Sequence, residues 1–322
     1  MQKRTVDMSG TQDSIILHNY PQSPVAEKVR VALGIKDIAW NSVEIPRLPP
    51  KPKLTQLTGG YRRTPVMQIG ADIYCDSQCI IRELERRHPS PTFFPTKDAG
   101  LLWCLSRWTD GAMFDLTVKL VLGSAGDDLP TDFAEDRGRL YLGPDWAAGL
   151  RAANATLPHL VAQIRAPLTW LDQQLTDGRP FLLGDSPAAI DAQIYYAVWF
   201  MRGRWAQGPT FLKEFAHVER WETSVRELGH GAIDTMSSDD AIAVATANDP
   251  RPISDTDTND PQGLQANQFV SVAPDVDAGE QPVEGRVITA DADTIVIGRS
   301  DEVAGELHVH FPRSGYRVTP LS

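Results

Sequence analysis

The sequence predicts an α/β domain, then an all-helical domain, then a small β-rich domain, and three observations carry that reading. Ser14–His18 is apolar in its middle and too short for a helix, and a polar turn separates it from a helix that opens on Pro24. From Asp98 to about Gly229 no strand pattern survives and apolar residues recur at helical spacing. From Thr235 to Ser322 the chain carries fifteen Asp/Glu against five Arg and no Lys, a net charge of −10, while the rest of the chain carries −1. That asymmetry alone sets a break near 235. The expected division is 14–88, 97–234, an acidic linker 235–265 and a β-rich domain 266–322.

Pro24 suits a first helical position, because its ring presets φ and its missing amide would have been unpaired there. Gly34 is placed to end that helix. Ile38–Ile45 alternates as a second strand, Arg47–Pro52 is too rich in proline for regular structure, and Lys53–Thr58 forms one or two helical turns before Gly59-Gly60. Val66–Ile69 and Asp72–Cys75 read as a hairpin about Gly70-Ala71, and Ser77–Arg87 as a helix with Ile80, Ile81 and Leu84 inward. The resulting order gives a mixed sheet with helices on its faces.

In the helical part, Leu101–Leu122 repeats Leu102, Leu105, Trp108, Ala112 and Leu116 at helical spacing, and Gly123–Pro144 reads as polar loop. Pro158 opens a helix through Leu175 that Pro167 should bend. Gly184–Phe200 is apolar on nearly every side after Asp191, which implies a helix buried in a bundle, and Phe211–Leu228 supplies another. Asn248–Gly263 has the composition of a flexible linker, which makes the chain beyond it a separable domain. That domain comprises Phe269–Val272, Val283–Thr289, Thr294–Arg299, Glu306–Phe311 and Tyr316–Thr319, short β-patterned runs between Asp/Gly/Pro turns.

Composition excludes several classes of function. No apolar run is long enough to span a bilayer, and the start MQKRTVDMSGTQD is too polar for a secretory signal. Cys75, Cys79 and Cys104 are too few for a disulfide framework and lie in no metal-spaced cluster, so a cytoplasmic location is expected. The net charge of −11 argues against nucleic acid as a partner. His308 and His310 share one face of a predicted strand, but no third ligand is identifiable and no metal is expected.

Chemistry concentrates at the first helix. Ser23 stands at its N-cap, where unpaired N–H groups and the macrodipole favour an anion such as a thiolate. The segment YPQSPVAEKVRVAL resembles the active-site turn and first helix of cytosolic glutathione transferases. Arg62–Ile69 (RRTPVMQI) and Ile73–Leu84 (IYCDSQCIIREL) have the order and spacing of that family's cis-proline strand and acidic-Ser helix start. The resemblance covers residues 14 to 230 and implies a thioredoxin-like N-terminal domain with an all-α C-terminal domain. The β-rich extension lies outside it.

The resemblance implies a set of roles. Ser23 donates to the glutathione thiolate, with Tyr20 as the competing hydroxyl. Thr64 and a cis Pro65 present backbone to the cysteinyl part, while Asp76 and Ser77 hold the γ-glutamyl ammonium and carboxylate. Lys51, Lys53, Arg62 and Arg63 are the cations on offer for the glycyl carboxylate, and Trp103, Arg107, Trp108, Phe114, Trp199 and Trp205 are candidate linings for the electrophile. Read without the resemblance, Ser23 and Asp76-Ser77 are also plain helix caps, and the aromatic stripe is also plain core. Ala188 departs from the family's Ser/Thr-x-x-Asp box, leaving Asp191 with Ser186 or Asp185 as the cap. The expectation is a glutathione transferase acting on a small hydrophobic electrophile, homodimeric, with glutathione as co-substrate. The alternative is a glutathione-binding scaffold whose extension recruits a partner.

Overall fold

The computed structural model describes residues 13–253, 257, 259–276 and 278–321. Most of the polar start read above, 1–12, lies outside this range, as do 254–256 and 258 of the expected linker. The chain divides into two units, one made of residues up to Ala26, 39–83 and 232–322, the other of 27–38 and 84–231.

The first unit is built on β1 (Ile16–Asn19), the opening of α1 (Pro24–Lys36), β2 (Ala39–Glu44), α2 (Pro52–Thr58), β3 (Val66–Ile69), β4 (Asp72–Cys75) and α3 (Ser77–Arg87). The second holds α4 (Ala99–Trp108), a π turn at Thr109–Met113, α5 (Phe114–Ala125), α6 (Thr131–Tyr141), α7 (Trp146–Ala155), α8 (Leu157–Gln174), α9 (Ala189–Arg204), α10 (Gly208–Leu212) and α11 (Ala216–Glu227). The chain then returns to the first unit with β5 (Ala232–Thr235), α12 (Ser238–Thr246), β6 (Phe269–Pro274), β7 (Val283–Ala290), β8 (Thr294–Asp301), β9 (Gly305–Pro312) and β10 (Tyr316–Pro320).

Ten strands form one sheet in the order β10-β6-β7-β8-β9-β4-β3-β1-β2-β5. The expected strand-rich extension is present, each strand within two residues of its predicted ends. It is not tethered at a distance. β9 pairs parallel with β4, setting His308 against Asp72, Ile73 against Val309 and Tyr74 against His310. One apolar core runs through both parts, joining Ile16, Val43, Val66 and Ile73 to Val270, Val287, Ile297, Val309 and Phe311. The boundary expected at 235 is therefore no break in the sheet: β5 closes the stretch expected to be helical, and the stretch read as linker contains α12. Composition misled because α12 is short and its core face is small: Ser237 caps Asp240 N–H, while Ala241, Ile242, Val244 and Ala245 are buried.

A polar joint fixes the β4–β9 seam. The Asp72 carboxylate lies 2.7 Å from His310 Nε2 and accepts from Arg251 N–H at 2.9 Å, and the His310 ring stacks on Tyr74 at 4.3 Å. Deeper in the sheet His18 bonds Gln68 Oε1 at 2.9 Å, and the Gln68 amide donates to the Gly70 and Ala241 carbonyls. These bonds tie β1 and β3 to α12. They satisfy polar groups that burial would otherwise leave unpaired.

The second unit departs from expectation at four places, the first being that the helix expected over Phe211–Leu228 is split into α10 and α11. Gly34 does not end α1; a Cβ there would lie 2.1 Å from the Gly229 carbonyl oxygen, so glycine serves close packing and Asp37 takes the left-handed turn at φ 49°. The stretch read as loop contains α6, whose buried positions are the small residues Ala134 and Gly138, too weakly apolar to show a period. The long helix expected over Leu101–Leu122 is interrupted by the π turn. There the Tyr196 hydroxyl donates to the Thr109 carbonyl and buried Lys28 pairs with Asp110 at 2.5 Å. Pro167 lies inside α8, and Pro158 falls in its first turn as expected.

Two outcomes are expected of the sheet. Removing 236–322 uncovers the β4 edge and one wall of the core, so the truncated chain should aggregate; a monodisperse product with native circular dichroism would show the extension to be dispensable. His18 is held neutral, its pKa lowered to about 4 by burial despite the Gln68 bond. The unfolded chain takes up this proton near pH 6.5 and the folded chain only near 4, so its contribution is intact above pH 6.5 and lost as pH falls toward 4. The loss should reach about 3 kcal/mol. Urea unfolding of the wild type and His18→Gln across that range should show the shallower pH slope in the variant.

Candidate functional site

The register brings the predicted polar residues to one end of the sheet. β1 is antiparallel to β3, with His18 opposite Val66, and β3 is antiparallel to β4, with Val66 opposite Cys75. Just beyond these pairs come Asn19, the last residue of β1, and Tyr20 after it, Pro65 and Thr64 before β3, and Asp76 after β4. This is the carboxyl end of β1 and β4, where α/β sheets bind ligands.

Ser23 caps α1: its Oγ accepts from Ala26 N–H at 3.2 Å, and its own N–H donates to the Tyr20 carbonyl at 3.1 Å. A capping serine accepts through a lone pair and keeps its O–H to donate. The bland and the chemical readings of Ser23 thus use different parts of one hydroxyl. Ser23 is 2% exposed and Tyr20 9%. Lys51 Nζ lies 5.8 Å from the centre of the Tyr20 ring and donates to Thr64 Oγ1 and the Arg62 carbonyl, both at 3.0 Å. The Thr64–Pro65 peptide is cis, as are Pro49–Pro50 and Ser90–Pro91.

Asp76 holds φ at 73°, a left-handed conformation unusual for a residue with a side chain. Such outliers persist where the surroundings impose them, often at ligand sites. Its Oδ1 accepts from Gln78 N–H at 2.9 Å and its Oδ2 from the Tyr316 hydroxyl at 3.1 Å. Ser77 opens α3 and is buried, and among the described residues its hydroxyl has no partner. A donor at a helix N-terminus beside a carboxylate matches the two ends of an amino acid.

Two of the expected cations are already paired. Arg63 forms a forked pair with Glu280, Nε at 2.9 Å and Nη2 at 2.5 Å from Oε2. Lys53 meets Asp239 at 2.5 Å across an exposed surface. Cys75 and Cys79 are buried, and burial pushes both thiols well above their ordinary value, so neither is a nucleophile at neutral pH.

The candidate electrophile residues lie in the second unit and do not converge. Trp103 packs on Phe94 at 5.3 Å, Arg107 is exposed and Trp108 is 38% exposed. Trp199 instead lines a cavity of about 340 Å³ with Glu27, Val31, Tyr195, Arg202 and His230. Phe114 packs against Tyr141 and Tyr196, and Trp205 against Phe211, as core. The unit's N-cap anchor is Asp191, whose carboxylate accepts from Leu182 N–H, Ala188 N–H and the Trp221 indole, all at 2.8 Å. Asp191 therefore reaches back to Ala188 N–H without a hydroxyl at the cap position. Burial leaves its carboxyl above the usual range even with those donors.

Sequence reasoning missed Tyr61, Glu280 and Tyr316. Tyr316 sits in a correctly predicted strand, and Glu280 in the connection between β6 and β7, and nothing local marks either as reaching residues more than two hundred positions earlier. No group of His, Cys, Asp and Glu able to hold a metal is found among the described residues, where His308 Nδ1 stands 3.9 Å from Asp72. No helix among them is long and apolar enough to cross a membrane.

The family models for the glutathione S-transferase N-terminal and C-terminal domains match residues 17–92 and 146–223. Among solved structures, a GST-like protein from Pseudomonas syringae is 34% identical, covering 96% of this chain and 100% of its own, with a TM-score of 0.80. That match runs through most of the extension. A Tau class glutathione S-transferase from mango, Mangifera indica, is 14% identical over 68% of this chain and 94% of its own, TM-score 0.50. A β-etherase from Sphingobium sp. strain SYK-6 is 11% identical over 67% and 98%, TM-score 0.51. These two share the fold. The comparison with curated proteins returns no match. With 34% identity sustained over nearly the whole length, this chain belongs to the glutathione S-transferase family.

Proposed function

We propose that the protein binds glutathione at the carboxyl end of β1 and β4, activates its sulfur at Ser23, and joins that sulfur to a small hydrophobic electrophile. The observation that supports this most directly is the Ser23 hydroxyl, which caps α1 through its oxygen and keeps its proton for a ligand. The thiol gives up its proton to water, and the thiolate is held by the Ser23 O–H and the N-terminal end of α1. It then attacks an electrophilic carbon, displacing a leaving group or adding to a double bond. Orientation of the two reactants and stabilisation of the anion supply the acceleration.

Thr64 and Pro65 offer backbone to the cysteinyl part, Ser77 takes the γ-glutamyl carboxylate and Asp76 its ammonium. Lys53 and Arg63 reach the glycyl carboxylate only by giving up Asp239 and Glu280. Trp103, Arg107 and Trp108 of α4 are the proposed contacts for the electrophile, with Trp199 in its own cavity as the alternative contact. The same reading takes the protein as a cytoplasmic homodimer.

Two observations favour the second reading, a glutathione-binding protein with little turnover. Ser23 and Tyr20 are nearly buried, and Arg63 is already met by a carboxylate of the extension. Tight glutathione binding with no conjugation of a chlorodinitrobenzene-type substrate would select it.

Ser23→Ala should lower kcat roughly a hundredfold, as loss of one anion-stabilising donor does. Its glutathione Kd should stay within about twofold, since the thiolate is one contact among several. An unchanged kcat would pass the role to Tyr20. Ser77→Ala should raise the glutathione Kd about tenfold, the range of a lost hydrogen bond to a charged group, measured by calorimetry. An unaltered Kd would remove the γ-glutamyl assignment.

A further inference from the structure

The extension touches the candidate site at Asp76. Tyr316 opens β10, where its backbone pairs with Pro274 of β6. Its ring packs on Phe311 at 5.6 Å and on Tyr61 at 6.4 Å, and its hydroxyl lies 3.1 Å from both Asp76 Oδ2 and the Tyr61 hydroxyl. An ionised carboxylate only accepts, so Tyr316 donates to Asp76 and accepts from Tyr61. With Gln78 N–H on Oδ1, each carboxylate oxygen has one fixed donor and keeps lone pairs for a ligand. Burial, then the Asp76 charge, push both phenols well above their ordinary value, so both are protonated donors at neutral pH.

We infer that Tyr316 is a positioning residue of the glutathione site, an extension side chain that orients the Asp76 carboxylate toward the γ-glutamyl ammonium, with Tyr61 behind it. This rests on the glutathione reading above. Asp76 sits in a left-handed turn where, among the described residues, its side chain is otherwise held on one oxygen only, by a backbone N–H two residues on. The second donor stops rotation about the remaining bond. Chain organisation thus gives the extension a part in binding: β9 locks onto β4, the strand that Asp76 follows, and the first residue of β10 supplies the hydroxyl that meets Asp76.

The test compares glutathione with its des-amino analogue, which lacks the ammonium, by calorimetry on the full-length protein. Wild type should favour glutathione by about tenfold or more. Tyr316→Phe should lose most of that preference by weakening glutathione alone, with the analogue bound as by wild type. Tyr61→Phe, which removes the donor behind Tyr316, should lose about half as much in free energy, and decides the matter if Tyr316→Phe does not fold. A wild type that binds both ligands equally would overturn the assignment of Asp76 itself. A wild type that discriminates, with Tyr316→Phe discriminating as well or weakening both ligands alike, would leave Asp76 in place and overturn the role of Tyr316.

Discussion

Everything distinctive in the first unit depends on one backbone ladder, β4 against β9. Parallel neighbours do not arise from a tight turn. Here the two strands come from positions more than two hundred residues apart, so the ladder must be stabilised by what flanks it. Asp72 does this, taking His310 on one oxygen and Arg251 N–H on the other while His310 stacks on Tyr74. Below the ladder, Ile73 and Val309 enter a common core, whose burial at roughly 25 cal/mol per Å² outweighs any single polar contact. The seam consumes the free edge of β4. That edge would otherwise be a template for pairing with another chain.

Local chemistry was legible in the sequence wherever one residue type decides the outcome. Pro24 fixed the start of α1, the Gly70-Ala71 turn the β3–β4 hairpin, and the Asp/Gly/Pro turns all five strands of the extension. It was not legible where a residue answers to a distant partner. Gly34 looks like a helix end, and only the Gly229 carbonyl pressing on it explains the glycine. Charge misread the region after 235 for a related reason. An acidic run marks a solvated face, and α12 presents such a face outward while Ala241 and Ala245 pack inward.

The candidate site divides the same way. Ser23, Asp76 and Ser77 stand at helix starts where capping residues mark them, while their ligand roles, and the choice of Thr64 and Pro65, come from the resemblance to the family. The partners of Arg63 and Asp76 cannot be read from pattern. Glu280 and Tyr316 are ordinary in their own neighbourhoods and acquire meaning only through the β4–β9 register. Trp103 and Trp199 show the converse: both read as aromatic positions of one lining, and the fold sends them to different surroundings.

The sheet now ends on β5 and β10, and each is a poor template for further strands. β5 has four residues with Asp234 among them, and β10 ends on Pro320, which has no N–H to offer, beyond exposed Arg317. An extension that only sealed the β4 edge would need nothing more. Tyr316 stands at the opposite end of β10 from Pro320, and its hydroxyl meets the Asp76 carboxylate. Sealing the edge does not require a buried hydroxyl there, whereas holding a carboxylate in a left-handed turn does. Edge protection accounts for the tail of β10, and Asp76 accounts for its first residue.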